Sequence, residues 1–382
     1  MIKKIRKEFG ERYGKDPMIV TSPGRVNLIG EHTDYNKGFV LPGAIDKKIV
    51  VAISKNDQNK INVFARHFNE EYSIVFSDIQ KPKGWQAYIA GVTFYVQQNT
   101  RPFESGFDIM FDGDVPVGSG MSSSAALCSA YGFALNELFE LGLTRMQLAY
   151  IGQQTEHNFA GVKVGIMDQF ASLHGKAGNV MKLDCRNMEF EYIPFNFPDH
   201  RIVLVNSMVH HSLAGTEYNV RRNQCEEGVS IVKKKYPQVE SLRDVTKEML
   251  LEHQNIMPEI IFRRCKYVIE ENERLLNGCN FLRAVDLASF GKLMDRSHEG
   301  LSKEYEVSCP ELDFLHEAAK KFSTVKGSRM MGGGFGGCTI NIVEESGVDE
   351  FSEKIRRIYN DKYGKVPDVY ISTIEDGARR VE

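Results

Sequence analysis

The chain has 382 residues, of which 26% are charged and 42% hydrophobic, and its formal net charge at pH 7 is −3. This composition is typical of a soluble globular protein, and the length is sufficient for two domains. The small net charge gives no electrostatic basis for binding nucleic acid or an anionic membrane. No apolar run approaches the length that spans a bilayer. Seven cysteines without a CxxC pair predict reduced thiols, and we expect a cytoplasmic protein.

The first half of the chain mixes short strands with helices. Ile2, Ile5, Phe9 and Tyr13 share one helical face, and a short strand is predicted at Met18–Thr21. Residue patterns with a period of two predict further strands at Val40–Leu41, Lys48–Ser54, Lys60–Arg66, Tyr72–Phe76 and around Phe107–Asp112. Strands are also predicted at Val180–Asp184 and Phe190–Pro194. Helical spacing predicts amphipathic helices at Trp85–Gln98, Ala125–Leu138 and Thr144–Phe159, the last with Thr144 as its cap.

The second half of the chain is richer in helices. Helical patterns are found at Gly215–Tyr236, Pro258–Leu276, Asp286–Tyr305, Pro310–Lys321 and Asp349–Tyr363. Strands are predicted at Arg201–Asn206, Lys326–Met331, Cys338–Val343 and Val369–Thr373. Because strands and helices do not alternate steadily, the pattern favours an α+β fold. We place the boundary between two domains just before Arg201, which gives an N-terminal domain of 1–200 and a C-terminal domain of 201–382.

A glycine- and serine-rich loop, Gly118–Ala125, lies between a predicted strand and a predicted helix. Glycines let the backbone approach a ligand closely, and the start of a helix attracts anions, so the loop could hold a phosphate group. The alternative is a serine-capped helix that follows a flexible turn. No lysine follows the last glycine, and Ser123 stands where a dinucleotide fingerprint needs its third glycine. A nucleoside triphosphate held by backbone amides remains the more attractive hypothesis.

Four ionisable residues, Arg25, Glu31, His32 and Asp34, fall within ten positions of one another and among several glycines. Carboxylates and an imidazole offer donors and acceptors at different angles, as recognition of a polyhydroxylated ligand such as a sugar requires. The alternative is a surface turn with solvated charges. The apolar residues between them favour a segment that is anchored in a core.

Two further carboxylates are candidates for chemistry. Asp168 stands among apolar residues, where partial burial would raise its pKa and suit it to accept a proton from a hydroxyl group, although it could instead cap a helix. Glu156 could bind Mg²⁺ or lie on a solvated helix face. Gly332–Gly337 contains five glycines, which indicates either a loop with positive φ angles or a backbone that passes close to a ligand.

Taken together, the segments Ser22–Tyr35, Val115–Ala126, Gly165–Gln169 and Gly332–Cys338 resemble the motifs of the GHMP small-molecule kinases. The first segment is similar to the signature of the family members that phosphorylate galactose. The resemblance implies two α+β domains with the active site in the cleft between them. It also implies transfer of the γ-phosphoryl group of ATP to O1 of α-D-galactose, with Mg²⁺ as the cofactor.

The resemblance implies roles for individual residues. Asp168 would be the base that takes the O1 proton, and Arg25 would orient it and stabilise charge on the transferred group. The residues implied to hold the sugar are Glu31, His32, Thr33, Asp34, Gly165 and Tyr218. Those implied to bind the triphosphate are Gly118, Ser119, Gly120, Met121, Ser122, Ser123 and Ser124. Trp85 and Tyr88 would belong to the adenine pocket, and Ser124 and Glu156 would bind Mg²⁺.

Rival functions remain open at this point. A kinase of the same family acting on N-acetylgalactosamine or arabinose would use the same catalytic residues. A sugar sensor derived from such a kinase would bind both ligands without catalysis, and a nucleotide-binding structural protein would not need the cluster around Glu31. The chain departs from the family pattern at His210, where a lysine or arginine is common, and at Met331, where a threonine is common. We expect a monomer or a weak homo-oligomer that binds only small molecules.

Overall fold

The computed structural model describes residues 1–76, 78–209 and 214–381 of the chain. His210 lies outside these ranges. The α-helices are α1 (Ile2–Tyr13), α2 (Gln86–Asn99), α3 (Ser123–Leu138), α4 (Arg145–Thr155), α5 (Met167–His174), α6 (Ala214–Lys233), α7 (Lys247–Leu251), α8 (Glu259–Arg283), α9 (Leu287–Glu299), α10 (Pro310–Ala319) and α11 (Val348–Tyr363). Within the part of the chain that is described, no helix is both long and apolar enough to cross a membrane.

The strands are β1 (Met18–Asn27), β2 (Phe39–Val40), β3 (Pro42–Asn56), β4 (Lys60–Ala65), β5 (Glu70–Val75), β6 (Gly106–Gly113), β7 (Asn179–Asp184), β8 (Phe190–Pro194), β9 (His200–Asn206), β10 (Val325–Met330), β11 (Cys338–Glu344), β12 (Asp368–Ser372) and β13 (Arg379–Arg380). Strands and helices do not alternate regularly, and this confirms the α+β class.

A six-stranded sheet organises the first half of the molecule, in the order β13-β1-β3-β6-β4-β5. Its pairs are antiparallel except for β4 with β6. Helices α3 and α5 pack against β1 and β3, and α2 and α4 pack on α3. A small sheet, β2-β7-β8, lies beside β3. The apolar core between these layers supports the loops that leave β1 and β6.

A four-stranded antiparallel sheet, β10-β11-β9-β12, organises the second half. Helices α9 and α10 pack against β10, and α11 packs against α10 and β12. Helix α8 packs on α6 and α9 and also contacts β2 and β8, so it connects the two halves. The glycine-rich turn Gly332–Gly337 joins β10 to β11, and Gly332 in this turn lies close to Gly120 of the first half.

The structure differs from the prediction in one strand boundary and in the type of one helix end. The short strand predicted at Met18–Thr21 runs on to Asn27, because Ser22, Pro23 and Arg25 continue the pairing with β3 through a register shift. The long helix predicted at Thr144–Phe159 is α at first and ends in a π-helical turn, Glu156–Ala160. Thr144 does cap it, in a reciprocal pair of hydrogen bonds with Gln147.

Two elements had no prediction. Helix α7 is a single short turn, and β13 is two residues long, so neither leaves a periodic pattern in the sequence. Strand β13 pairs with β1, which brings the end of the chain back to the first sheet. The predicted division at 200/201 falls at the start of β9, where the second sheet begins, and it stays a prediction because β13 belongs to the other sheet.

Candidate active site

A cavity of about 240 Å³ lies where the loops of the two halves meet. Its walls come from the end of β1, the turn that follows it, the start of α5, helix α6 and the glycine-rich turn after β10. Its lining residues are Arg25, Glu31, His32, Asp34, Val162, Val164, Gly165, Met167, Asp168, Tyr218 and Gly332–Gly334. We call it the sugar cavity. It gathers the candidate base, the candidate arginine and all the proposed sugar residues except Thr33.

Arg25 and Asp168 form a bidentate pair within this cavity. Nε of Arg25 donates to Oδ1 of Asp168 at 2.8 Å, and Nη2 donates to Oδ2 at 2.7 Å. Burial alone would lower the pKa of Arg25, but the charge of Asp168 and then that of Glu31 raise it above its usual value. Asp168 lies in the first turn of α5, whose N-cap is Ile166, so the helix-cap alternative for Asp168 was wrong.

The turn that carries Glu31, His32 and Asp34 is not a solvated surface turn. The side chains of Glu31 and His32 are 3% and 4% exposed. Oε1 of Glu31 accepts hydrogen bonds from Nη2 of Arg329 and from the backbone N–H of Gly332, both at 2.9 Å. The turn is therefore held by the strand and the glycine-rich loop of the other half of the molecule.

Asp34 lies against Gly165 on the wall of the sugar cavity. A Cβ atom on residue 165 would overlap with Oδ2 of Asp34, so only glycine allows this approach. Burial, and then the charge of Asp168, raise the pKa of Asp34 to about 7. The carboxyl group therefore changes its charge near neutral pH in the absence of ligand.

His32 is surrounded by tyrosines. Its ring lies 5.3 Å from that of Tyr218 and 5.0 Å from that of Tyr305, and Nδ1 is 2.8 Å from the hydroxyl of Tyr35. The Tyr35 hydroxyl is in turn 2.8 Å from that of Tyr305. Burial lowers the pKa of His32 to about 3, so the imidazole is neutral at physiological pH. A neutral ring can donate with one nitrogen and accept with the other.

Thr33, Ser119 and Met121 are among the predicted ligand residues, but their side chains are buried and contact other parts of the protein. The hydroxyl of Thr33 is buried and donates to the carbonyl oxygens of Gly30 and Phe39. Ser119 is also buried, and its hydroxyl donates to Pro116 O at 2.7 Å. The side chain of Met121 belongs to the core, while its carbonyl accepts the N–H of Arg25 at 3.1 Å. These side chains shape the loops, and a direct ligand contact through any of them stays a prediction.

A second cavity, of about 970 Å³, opens beside the loop Gly118–Ser124, which is here called the phosphate loop. We call this cavity the nucleotide cavity. Trp85, Tyr88, Ser123 and Ser124 are among its lining residues. The indole N–H of Trp85 donates to Oε2 of Glu70 at 2.7 Å, which fixes the ring at the cavity wall. The structure thus brings the predicted adenine residues together with the start of α3.

The phosphate loop has the backbone geometry that the sequence indicated. Gly118 and Gly120 have φ angles of 75° and 80°, and Ser122 has a φ of 59° just before α3 begins at Ser123. Nη1 of Arg25 donates to the carbonyl of Gly120. A Cβ atom on Gly332 would contact Cα of Gly120 at 3.6 Å, so the two glycine-rich loops lie side by side. The sugar cavity and the phosphate loop therefore share Arg25.

Ser124 and Glu156 meet at the mouth of this loop. The hydroxyl of Ser124 donates to Oε1 of Glu156 at 3.2 Å, and the amide of Gln169 donates to the same oxygen at 2.9 Å. Burial, and then the charge of Asp168, raise the pKa of Glu156 to about 7. Glu156 is buried, so the solvated-face alternative was wrong.

This pair of oxygen donors fits Mg²⁺, which binds few protein ligands and completes its shell with waters and substrate phosphates. No cluster of three or more His, Cys, Asp or Glu side chains that could hold a metal ion occurs among the residues that are described. A metal site made by protein side chains alone is therefore not part of the described structure. The hydroxyl and carboxylate could hold an ion together with the nucleotide.

Sequence reasoning missed the residues that support the cavity from the second half. Arg329 contacts Glu31, the hydroxyl of Tyr267 donates to Glu31 O at 3.1 Å, and Glu271 accepts the N–H of Gly30 at 2.8 Å. Arg329 precedes the glycine-rich motif by three positions, but strand residues next to a motif are usually core. Only the contact across the molecule identifies it.

Comparison of the sequence with known protein families identifies the class of protein to which this chain belongs. The sequence matches three family profiles: the galactokinase galactose-binding signature over residues 7–55, the GHMP kinases N terminal domain over residues 87–176, and the GHMP kinases C terminal domain over residues 281–361. The fold and the paired glycine loops thus define a small-molecule kinase of the GHMP class.

Within that class, the chain belongs to the galactokinase family. It is 38% identical to a galactokinase of Roseiflexus sp. (strain RS-1) over 380 residues, which cover 99% of this chain and 97% of the relative. It is 40% identical to a galactokinase of Clostridium acetobutylicum over 368 residues, with 95% and 94% of the two chains covered.

Solved structures agree with the sequence relatives. The structure of Lactococcus lactis galactokinase complexed with galactose superposes with a TM-score of 0.95 at 31% identity, and all of both chains is covered. The mevalonate kinase of Methanococcus jannaschii superposes with a TM-score of 0.67 at 18% identity, over 94% of this chain and 99% of the other. The second match shows the shared fold alone.

Proposed function

We propose that this member of the galactokinase family transfers the γ-phosphoryl group of ATP to O1 of α-D-galactose, which gives galactose 1-phosphate and ADP. The observation that carries the proposal is the Arg25–Asp168 pair. The two side chains line the sugar cavity, and Arg25 also contacts the phosphate loop through Gly120. One residue thus connects the acceptor site with the donor site.

Asp168 is the base in this proposal. Its carboxylate accepts the proton of the O1 hydroxyl as O1 forms a bond to the γ-phosphorus, and the bond from that phosphorus to the β,γ-bridging oxygen breaks to release ADP. The bidentate hydrogen bonds from Arg25 hold both oxygens of Asp168 in a fixed plane. The guanidinium also places positive charge next to the loop where the transferred phosphoryl group develops its charge.

The walls of the sugar cavity supply the complementary hydrogen-bonding groups. Glu31 and Asp34 offer carboxylate acceptors, and neutral His32 offers one donor or acceptor according to its tautomer. Gly165 leaves room for Asp34, and the ring of Tyr218 lies over His32. This set of polar groups on a small cavity suits a sugar with several hydroxyl groups.

The phosphate loop and the nucleotide cavity bind ATP in this proposal. Gly118–Ser124 presents backbone N–H groups and the start of α3 to the phosphates. Trp85 and Tyr88 line the wall where the adenine ring would lie. Ser124 and Glu156 would hold Mg²⁺, which when bound neutralises charge on the phosphates and so assists phosphoryl transfer.

A coupled assay of ADP release tests the proposal with the purified full-length protein. The acceptors to compare are galactose, glucose, N-acetylgalactosamine, arabinose, mevalonate and homoserine, each with ATP and Mg²⁺. Galactose should give the highest kcat/KM. A higher kcat/KM for N-acetylgalactosamine or arabinose would assign a different sugar, and binding of galactose and ATP without ADP release would identify a sensor.

A further inference from the structure

Arg329 is one of the two largest side chains in the described part of the chain that are fully buried, and it lies outside the four segments that resemble the motifs of the family. It is in β10, and its guanidinium reaches across to the first half of the molecule. Nε donates to Leu28 O at 2.8 Å, and Nη1 donates to Met330 O at 2.8 Å. Nη2 donates to Asn27 O at 2.5 Å. Three carbonyl oxygens thus fix the plane of the guanidinium.

The same Nη2 also contacts the turn that carries Glu31, His32 and Asp34. It donates to Oε1 of Glu31 at 2.9 Å, and the N–H of Gly332 donates to that oxygen at the same distance. Glu31 is 3% exposed and lines the sugar cavity. Its second oxygen, Oε2, accepts no hydrogen bond from the residues described, so within that part of the chain the protein holds one oxygen of the carboxylate and leaves the other without a donor.

We propose that Arg329 is a positioning residue for the sugar site. Together with the N–H of Gly332, it holds Oε1 of Glu31 so that Oε2 accepts a hydrogen bond from a hydroxyl group of the sugar. The inference rests on the proposed function, because it assigns the galactose site to the cavity that Glu31 lines. Arg329 itself contacts no substrate and acts through Glu31.

Lysine cannot replace arginine in this role. A guanidinium is planar and donates hydrogen bonds to the three carbonyl oxygens and the carboxylate in fixed directions. An ammonium group is instead a compact charge at the end of a flexible side chain. In Arg329→Lys, Glu31 loses one of its two fixed donors. Loss of a hydrogen bond between two charged groups should weaken the affinity for galactose by roughly 10- to 100-fold.

The first experiment compares Arg329→Lys with the wild type in galactose KM, ATP KM and kcat, and in galactose affinity by calorimetry without ATP. Galactose KM and Kd should rise by roughly 10- to 100-fold, while ATP KM stays within about twofold. Arg264→Lys is the matched control, since Arg264 is also fully buried and pairs with Glu306 on another part of the second half. It should lower the melting temperature and leave galactose KM unchanged.

The second experiment asks whether Arg329 acts through Glu31. In the Glu31→Ala background, Arg329→Lys should add no further increase in galactose Kd, because the group that it positions is absent. A full additional increase, or an equal rise of ATP KM in the single variant, would overturn the inference.

Glu31→Gln gives a test that does not need Arg329→Lys to fold. Two donors meet at the position of Oε1, so the glutamine must place its amide oxygen there and its NH₂ group toward the sugar. An acceptor becomes a donor, and galactose Kd should rise as much as in Glu31→Ala. Near-normal affinity of Glu31→Gln would overturn the inference. Failure of the proposed function is seen separately, as wild-type protein that releases no ADP with galactose.

Discussion

Arg25 and Asp168 are joined by two hydrogen bonds, of 2.8 and 2.7 Å, although 143 positions separate them in the chain. Arg25 belongs to β1, the second strand in its sheet from the β13 edge, and Asp168 belongs to the first turn of α5, which packs on that strand. The pair is therefore fixed by the main core of the first half. A base held this way needs no rearrangement before it meets a hydroxyl group.

Asp168→Asn should remove the base and keep the shape of the site. We expect kcat to fall by roughly 10²- to 10⁴-fold, the usual contribution of general-base catalysis. Galactose affinity should stay within a few-fold of wild type, since the amide can still accept one hydrogen bond from Arg25. Steady-state ADP release and calorimetry with galactose measure the two effects.

Asp184→Asn is a matched control for that variant. The side chain of Asp184 is 20% exposed, close to the 21% of Asp168, and it also contacts an arginine, Arg243. It lies in β7 and lines neither the sugar nor the nucleotide cavity. Its kcat should remain near that of the wild type, and near-normal kcat in Asp168→Asn would remove Asp168 as the base.

Gly165→Ala should weaken galactose binding. The added methyl group would overlap with Oδ2 of Asp34 and displace that carboxyl from the cavity wall. We expect galactose KM to rise by at least about tenfold, equivalent to about 1.4 kcal/mol of lost binding, with ATP KM little changed. Gly132→Ala in α3 is the control, because its nearest neighbour would lie at 3.5 Å and alanine favours a helix. An unchanged galactose KM in Gly165→Ala would contradict the assignment of this wall.

Galactose binding should depend on pH through Asp34. Burial, and then the charge of Asp168, raise its pKa to about 7, so the carboxyl gains a proton as the pH falls from 8 to 6. The ionised form accepts more hydrogen bonds from sugar hydroxyls, and galactose affinity should therefore fall over this range. In Asp34→Asn the affinity should be lower and much less dependent on pH. An increase of wild-type affinity toward pH 6 would show that the protonated form binds.

The same group predicts the pH dependence of stability. The unfolded chain releases this proton near pH 3.8, while the folded protein retains it to about pH 7. Stability is therefore lost progressively as the pH rises between these values, because the unfolded state is the one that ionises. Asp34→Asn should raise the melting temperature more at pH 8 than at pH 5. An equal increase in melting temperature at both pH values would argue against a raised pKa of Asp34.

Trp85 should report nucleotide binding by fluorescence. It is the only tryptophan in the sequence, and it lines the nucleotide cavity with its N–H bonded to Glu70. Adding ATP or ADP should change its emission in a saturable way, whereas galactose alone should change it little because the sugar cavity has other walls. Trp85→Phe should abolish the signal. A response to galactose alone would show that the assignments of the sugar and nucleotide cavities must be reversed.

The sequence indicated the local parts of the site well. The phosphate loop, the start of α3, and the grouping of Glu31, His32 and Asp34 depend on neighbouring residues, which a motif records directly. The proposed alternative of a solvated turn failed because burial depends on what packs over a segment. Glu31 is covered by Arg329 and Gly332, about 300 positions away, and no local pattern reveals that.

Other features were out of reach for the same reason. The hydroxyls of Tyr35 and Tyr305 meet across 270 positions, and the pairing of β13 with β1 joins the two ends of the chain. Both contacts depend on how distant segments of the chain are placed in the fold, and the periodicity of the sequence does not predict that placement. His210 was singled out by comparison with the family, and it lies outside the described residues, so its role stays a prediction.

The pairing of β13 with β1 also bears on how the protein is made. Arg379 and Arg380 pair with Thr21 and Val20, and Val381 donates to Ile19 O at 3.0 Å. A ribosome makes β1 long before its edge partner β13, because most of the described chain lies between the two strands. The strand that bears Arg25 therefore keeps one edge unpaired until β13 has been made, and a fragment that lacks β13 would expose that edge to other chains.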